Sequence, residues 1–230
     1  MKMYKIAICM VALLLTVGAV VAQEVTVEES SVESVYLQTN EDLIISEMAA
    51  SPSYETKLIT LQYIQEALNE GRTSTTIEAT LHSLGGEGVL TESRTAGHLD
   101  NNYSEIRRQA CLMLATIPTE ETKDFLLDLM RSEKEPMVLS AAIYALGEIG
   151  LNDGDDVINE ITAIHSRFSV LNPTDSLANA TLDALEKLLP VSQNSAGVVE
   201  TLASIATNYK YITPVRQKAL NILGIVKGSD

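Results

Sequence analysis

Apolar residues in this chain recur at steps of three and four. Leu58, Leu61, Ile64 and Leu68 form one such series, and Ile106, Ala110, Met113, Leu114 and Ile117 form another. That period places each series along one face of an α-helix. Further stripes run through Phe125, Leu126, Leu129 and Met130, through Val157, Ile158, Ile161, Ile164 and Phe168, and through Leu177, Thr181, Ala184, Leu185 and Leu188. The last two hold Val198, Val199, Leu202, Ile205 and Ala206, then Val215, Ala219, Ile222, Leu223 and Val226. Turn chemistry separates them. Ser51-Pro52-Ser53 suits a corner between helices, because proline lacks an amide hydrogen and restricts the residue before it. Thr119 is an expected N-cap, with Glu120, Glu121 and Asp124 at the positive end of the helix dipole. Pro136 opens a helix at no hydrogen-bond cost, Gly147 with Gly150 leads into a stop, and Asp155 or Asp156 caps the next helix. Asn172-Pro173-Thr174-Asp175, Pro190 and Tyr211-Ile212-Thr213-Pro214 mark the remaining turns.

The same short helical phrase returns five times. Its clearest copies begin at Val215 (Val-Arg-Gln-Lys-Ala-Leu-Asn-Ile-Leu-Gly), Ile106 and Val138, and looser ones at Thr56 and Leu177. In chain order the steps are 50, 32, 39 and 38 residues. Recurrence on that scale signals stacked helical units, each burying its flank against the next. The predicted fold is all-α: an α-α superhelix, or solenoid, of about five helix pairs over residues 41–227, with units near 41–70, 73–117, 119–150, 155–189 and 194–227. Ala or Gly one turn from a large aliphatic lets neighbouring backbones approach closely.

The phrase Val-Arg-x-x-Ala-x-x-x-Leu-Gly, with proline shortly before it, resembles the second helix of HEAT-type repeats, especially the short bacterial kind related to lyase subunits. The resemblance covers roughly Glu41 to Lys227 and is strongest in the units containing Arg107, Ala142 and Arg216. Lys57, Leu139 and Ala178 replace the arginine elsewhere, which argues against a continuous charge ladder but not against the packing. The resemblance implies binding of another macromolecule without fixing which.

The N-terminus follows a different pattern. Lys2 and Lys5 precede an apolar run from Ile6 to Val17, and Val20-Val21-Ala22 offers small residues ahead of Gln23. This is the pattern of a secretory signal peptide, residues 1–22, cleaved after Ala22. The run is shorter than the roughly 20 residues a membrane span needs, and Cys9 lies inside it, not after it as a lipid acceptor would. Residues 23–40 read as a flexible leader, because Gln23 to Gln38 has no helical period. The expected address is periplasmic or secreted, with no integral membrane segment after cleavage.

Charge narrows the partners. The whole chain holds 16 Lys and Arg against 31 Asp and Glu; without Lys2 and Lys5 it holds 14 against 31, a net charge of −17. So negative a surface repels phosphate backbones, which excludes nucleic acid as a general partner. Cys111 is the only thiol left after processing, so no intramolecular disulfide forms. On an apolar helix beside Ala110, it is expected buried and inert.

Little in the sequence points to chemistry. His82, His98 and His165 are not spaced as metal ligands; a cluster of His82 and His98 with Glu87, Glu92 or Asp100 is the one combination the order allows. Asn152-Asp153-Gly154-Asp155-Asp156 lacks the alternating donors and closing glutamate of a calcium loop. Leu84-Gly85-Gly86-Glu87-Gly88 lacks the lysine and strand of a phosphate loop and reads as a flexible helix exit. His82-Ser83 follows Leu81 where a nucleophile elbow needs glycine. Asn102-Tyr103-Ser104 and Asn179-Ala180-Thr181 match the glycosylation acceptor pattern.

No catalytic residue, metal or cofactor is therefore expected. The function read from sequence is an exported, non-enzymatic scaffold or adaptor whose concave face, lined by second helices, holds a protein or peptide. The alternative is an enzyme or lyase-type subunit using the groove as a small-molecule pocket. Candidate partner-binding residues are Arg107, Arg108, Arg216 and Lys218 on second helices; the alternative for arginine in this phrase is to bind a neighbouring acid inside the stack. Glu87, Glu92, Arg94 and His98 join them from the long interruption between Gly85 and Asn102, a length that is uncommon unless functional or disordered. The apolar residues of the C-terminal helix, Ile222 to Val226, are expected to bury against the preceding helix, with self-association through that end as the alternative.

Overall fold

The computed structural model describes residues 32–193 and 195–228, with side chains in the last helix described through Val226. The signal peptide and the first part of the leader lie outside the described residues. Clustering of contacts separates Met1–Leu37 from Gln38–Asp230. Of the first unit, only residues 32–37 are described, as the opening of helix α1 (Val32–Ala49). The second unit carries everything that follows.

Helix α1 starts nine residues before the expected Glu41. Its buried positions are Asp42, Ile45 and Ala49, at steps of three and four. Residues 32–40 are mostly exposed, so they need no apolar stripe and show no helical period in the sequence. The remaining helices are α2 (Tyr54–Asn69), α3 (Thr75–Gly86), α4 (Ser104–Leu114), α5 (Glu120–Ser132), α6 (Pro136–Ile149), α7 (Asp156–Leu171), α8 (Asp175–Leu188), α9 (Ala196–Thr207) and α10 (Thr213–Gly228). Strand among the described residues is confined to the two-residue pair β1 (Arg94–Thr95) and β2 (His98–Leu99).

Four helices begin in one manner. Ser53, Ser74, Thr119 and Thr174 each accept the backbone N–H three residues on, from Thr56, Ile77, Thr122 and Leu177. Each such cap contributes about 1 kcal/mol. Helix α7 is capped differently: Asp155 holds the N-cap position without a side-chain bond to the first turn, while Asp156 Oδ1 accepts from Val157 N at 2.7 Å and the Asn152 side chain accepts from Ile158 N at 3.2 Å.

The pairs stack as a solenoid in two rows. Helix α2 packs on α4, α4 on α6, α6 on α8 and α8 on α10, while α3, α5, α7 and α9 follow one another in the second row. Buried aliphatics run unbroken from Ile45 to Ile222. Each joint between units is a shared core, so no pair could lose its neighbour without exposing that surface.

The closest approach is at Gly147. A Cβ built there would stand 2.8 Å from Ala184 Cα and 3.0 Å from Ala184 Cβ. Gly147 is thus an interior residue of α6 that lets α8 touch the backbone; the stop itself falls to Gly150, in the left-handed region at φ 73°. Gly147→Ala gains helix propensity but overpacks this joint, and should lower stability by about 1–3 kcal/mol. Gly224→Ala, where a Cβ meets nothing within 4 Å, should be neutral or stabilising by up to about 1 kcal/mol. Urea denaturation of the two variants checks the contrast, and equal effects would contradict the packing.

Candidate partner-binding surface

The joints are clasped by buried charge. Lys57 Nζ, on α2, donates to Glu87 Oε1 at 2.6 Å and to the Ala49 carbonyl at 2.7 Å. The Glu87 carbonyl accepts from Arg107 Nη1 at 3.1 Å, beside the Asn102 side chain at 2.9 Å. Arg107 Nε donates to Glu133 Oε2 at 2.7 Å, and Glu133 Oε1 also receives the N–H groups of Lys134 and Glu135. Arg107 is 1% exposed. Of its two expected roles, exposed contact residue or partner of an acid inside the stack, the structure shows the second: its guanidinium is enclosed, and a planar donor fork satisfies several acceptors at once.

Other joints repeat the device with different residues. Lys123, buried on α5, reaches Glu120, Asp153 and Asp156, which hold its pKa above the usual lysine value. Asp155 receives Gln193 N at 3.0 Å. The Asn-Asp-Gly-Asp-Asp segment therefore serves as a clasp between units. Among the described residues, no group of three His, Cys, Asp or Glu converges to hold a metal.

The interruption after α3 is ordered. Gly85 and Gly86 belong to α3 and are buried, with Phe125 against Gly85, so this segment is packed and not a flexible exit. Gly88 (φ 74°) closes the base, where a Cβ would meet Asn101 O at 2.7 Å. Beyond it, Thr95 pairs with His98 around Ala96 and Gly97, both at positive φ, the signature of a two-residue type I′ turn. Asn101 braces the hairpin through Ser93 N and the Thr91 carbonyl. Of the four candidates here, Glu87 is consumed by Lys57, Glu92 pairs with Arg94 at 2.9 Å, and Glu92, Arg94 and His98 lie exposed. The combination of His82 and His98 with acids does not form: His82 stacks on Phe125 at 4.4 Å, and burial lowers its pKa.

The solvent face of the second-helix row is built from other residues. Leu112 on α4 and Tyr144 on α6 occupy the same repeat position and are 37% and 40% exposed. Met137, seven residues before Tyr144 on α6, is exposed too. Charged pairs flank this strip: Glu105–Arg108, Glu148–Lys187 and Asp183–Lys218. The Arg108 guanidinium holds Glu105 at about 2. Arg108 and Lys218 thus lie at the rim already paired, and Arg216 lies at the end of the row, half-buried. Sequence reasoning passed over Leu112, Met137 and Tyr144 because each sits inside an apolar run, where one exposed position is hard to separate from core. It also missed Glu133 and Lys123, whose partners Arg107 and Asp153 lie far away in sequence.

A row of paired helices with enclosed ion pairs and an open outer face defines a helical-repeat architecture. The family model for HEAT repeats matches residues 95–165, from the hairpin through most of α7, and the chain is a HEAT-like repeat protein. Repeats of this class are scaffolds for protein interaction. No curated protein and no solved structure matches the chain. No helix among the described residues is long and apolar enough to cross a membrane.

Two outcomes follow. Arg107→Met leaves Glu133 buried without its cation and should cost about 3–5 kcal/mol, while adding Glu133→Gln should restore much of the loss; a double variant as weak as the single would refute the pairing. His165 is buried, and burial pushes its pKa down to about 4. Unfolding frees it to bind a proton near its ordinary value of 6.5, so its stabilising effect is full above that value and is lost as pH falls. Stability should drop by up to about 2 kcal/mol between pH 7 and pH 5, and His165→Leu should flatten that dependence in urea titrations.

Proposed function

We propose that this chain is an exported, non-enzymatic scaffold whose second-helix row holds another protein or an extended peptide in the cell envelope, periplasmic in a bacterium. The observation that carries this reading is the exposed strip of Met137, Leu112 and Tyr144 on adjacent helices, rimmed by ion pairs. Large side chains that escape burial where their neighbours are fully enclosed are the anchors an interface uses, with polar groups excluding water around them. The rigid row fixes their spacing before any partner arrives, which lowers the ordering cost of binding.

The groups that chemistry would recruit are committed elsewhere. Burial pushes the Cys111 thiol up to about 12 and His165 down to about 4, and His82 lies against Phe125. The exposed hairpin with Glu92, Arg94 and His98 adds a polar edge beside α4. Export rests on Lys2 and Lys5, the apolar run to Val17 and the small residues before Gln23. The net charge of −17 after removal of that leader disfavours nucleic acid as the occupant.

A photo-crosslinking amino acid at Tyr144 or Leu112 should join the protein to one discrete partner in native envelope. The same group at Asp128, on the other row, should not, and Leu112→Glu with Tyr144→Glu should abolish the product. Labelling equal at all three positions would sink the assignment of the surface. Fractionation with N-terminal sequencing tests export: an intact Met1 start in the cytoplasm would end that part of the reading.

A further inference from the structure

The five second helices share one register, which exposes how the row ends. Taking Thr56, Ile106, Val138, Leu177 and Val215 as position 1, position 6 is Leu61, Cys111, Ile143, Leu182 and Leu220. The first four are fully buried, each covered by the following unit; Leu220 is 50% exposed. Position 2 tells the same story in charge. Lys57 and Arg107 both meet a glutamate supplied where the next unit's first helix ends, Glu87 and Glu133. On α10 that position is Arg216, whose Nε is shielded from solvent and has no hydrogen-bond partner. Position 10 completes the set. Gly147 receives the backbone of α8, whereas a Cβ at Gly224 would meet nothing within 4 Å.

The other half of this joint stands open at the opposite end. Positions 4 and 8 of a second helix face the preceding one: Ala184 lies on Gly147, and Lys218 reaches Asn179 and Asp183. On α2 these positions are Ile59 and Tyr63, and Tyr63 is 48% exposed. Tyr63 borders a cleft of about 380 Å³ with Ile44, Met48, Arg72 and the carboxylates Glu41, Glu66 and Glu70; Arg72 pairs with Glu41 and Glu70, so acids still outnumber cations there. Of the apolar segment Ile222 to Val226, expected to bury against the preceding helix with self-association as the alternative, Ile222 is buried and Leu223 and Val226 pack on the core, while Ile225 is exposed. The uncovered face also holds Arg216, Leu220 and Gly224.

We propose that copies of this chain assemble head to tail, the α10 end of one seating on the α2 end of the next and repeating between molecules the joint that recurs within each. The large ring of Tyr63 meets the vacant step at Gly224, and Arg216 meets the acidic rim of the α2 cleft. Such a contact uses two different patches and so propagates without closing unless the rotation makes a ring. This assembly is independent of any partner held on the outer face of the row.

Sedimentation velocity over a concentration series should show the wild-type protein growing through dimer and higher species. Leu220→Glu and Tyr63→Glu, both at exposed positions, should each be monomeric with unchanged helical circular dichroism and melting. Mixed in equal amounts, they should form a dimer and nothing larger, since each retains one intact end. Arg216→Ala should weaken association at least tenfold. A wild-type monomer at every concentration would overturn the proposal. So would loss of association in Leu220→Glu alone, which would mean α10 pairing with α10, or a mixture that stays monomeric.

Discussion

The enclosed path from Lys57 through Glu87 and Arg107 to Glu133 sets the register of the first three units. Two taken-in charges are costly to bury, and the cost is offset only where geometry satisfies every donor. Here the carboxylate of Glu133 also takes the first free N–H groups ahead of α6, so the same residue that anchors Arg107 starts the next helix. Sliding one unit past another would break both at once. The apolar flanks supply adhesion without direction; the ion pairs supply direction.

The joints further along need less charge because they are tighter. Leu139 and Ala178 occupy the position held by Arg107, and both are buried. At Gly147 the helices come close enough that no side chain fits between them. Along the row the ion pairs thus move from enclosed to rim positions, Glu148–Lys187 and Asp183–Lys218, as close backbone contact takes over inside the joint. Lys123 with Asp153 and Asp156 keeps one charged clasp at the fourth unit, on the first-helix side.

The paired helices were legible because periodicity and capping agreed: Ser53, Thr119, Thr174 and Pro136 punctuate stripes that the structure buries. The match to HEAT repeats takes in the copies at Ile106 and Val138 but not the one at Val215. What escaped was long-range. Nothing local to Arg107 distinguishes an enclosed guanidinium from an exposed one, since its acceptor lies 26 residues away. The start of α1 was missed because an exposed helix needs no stripe. Gly85 and Gly86 were misread because glycine signals freedom locally, and here it signals the nearness of Phe125. The outer strip depended on single exposed residues within apolar runs, a distinction that requires knowing what the neighbouring unit covers.

Cys111 lies at the middle of a joint, fully enclosed, with its thiol poorly ionised. Disulfide exchange proceeds through the thiolate and needs physical access. In an oxidising compartment the folded molecule therefore keeps Cys111 closed to glutathione or a neighbouring protein. Its vulnerability to such adducts is confined to the interval before the second and third units close over that sulfur.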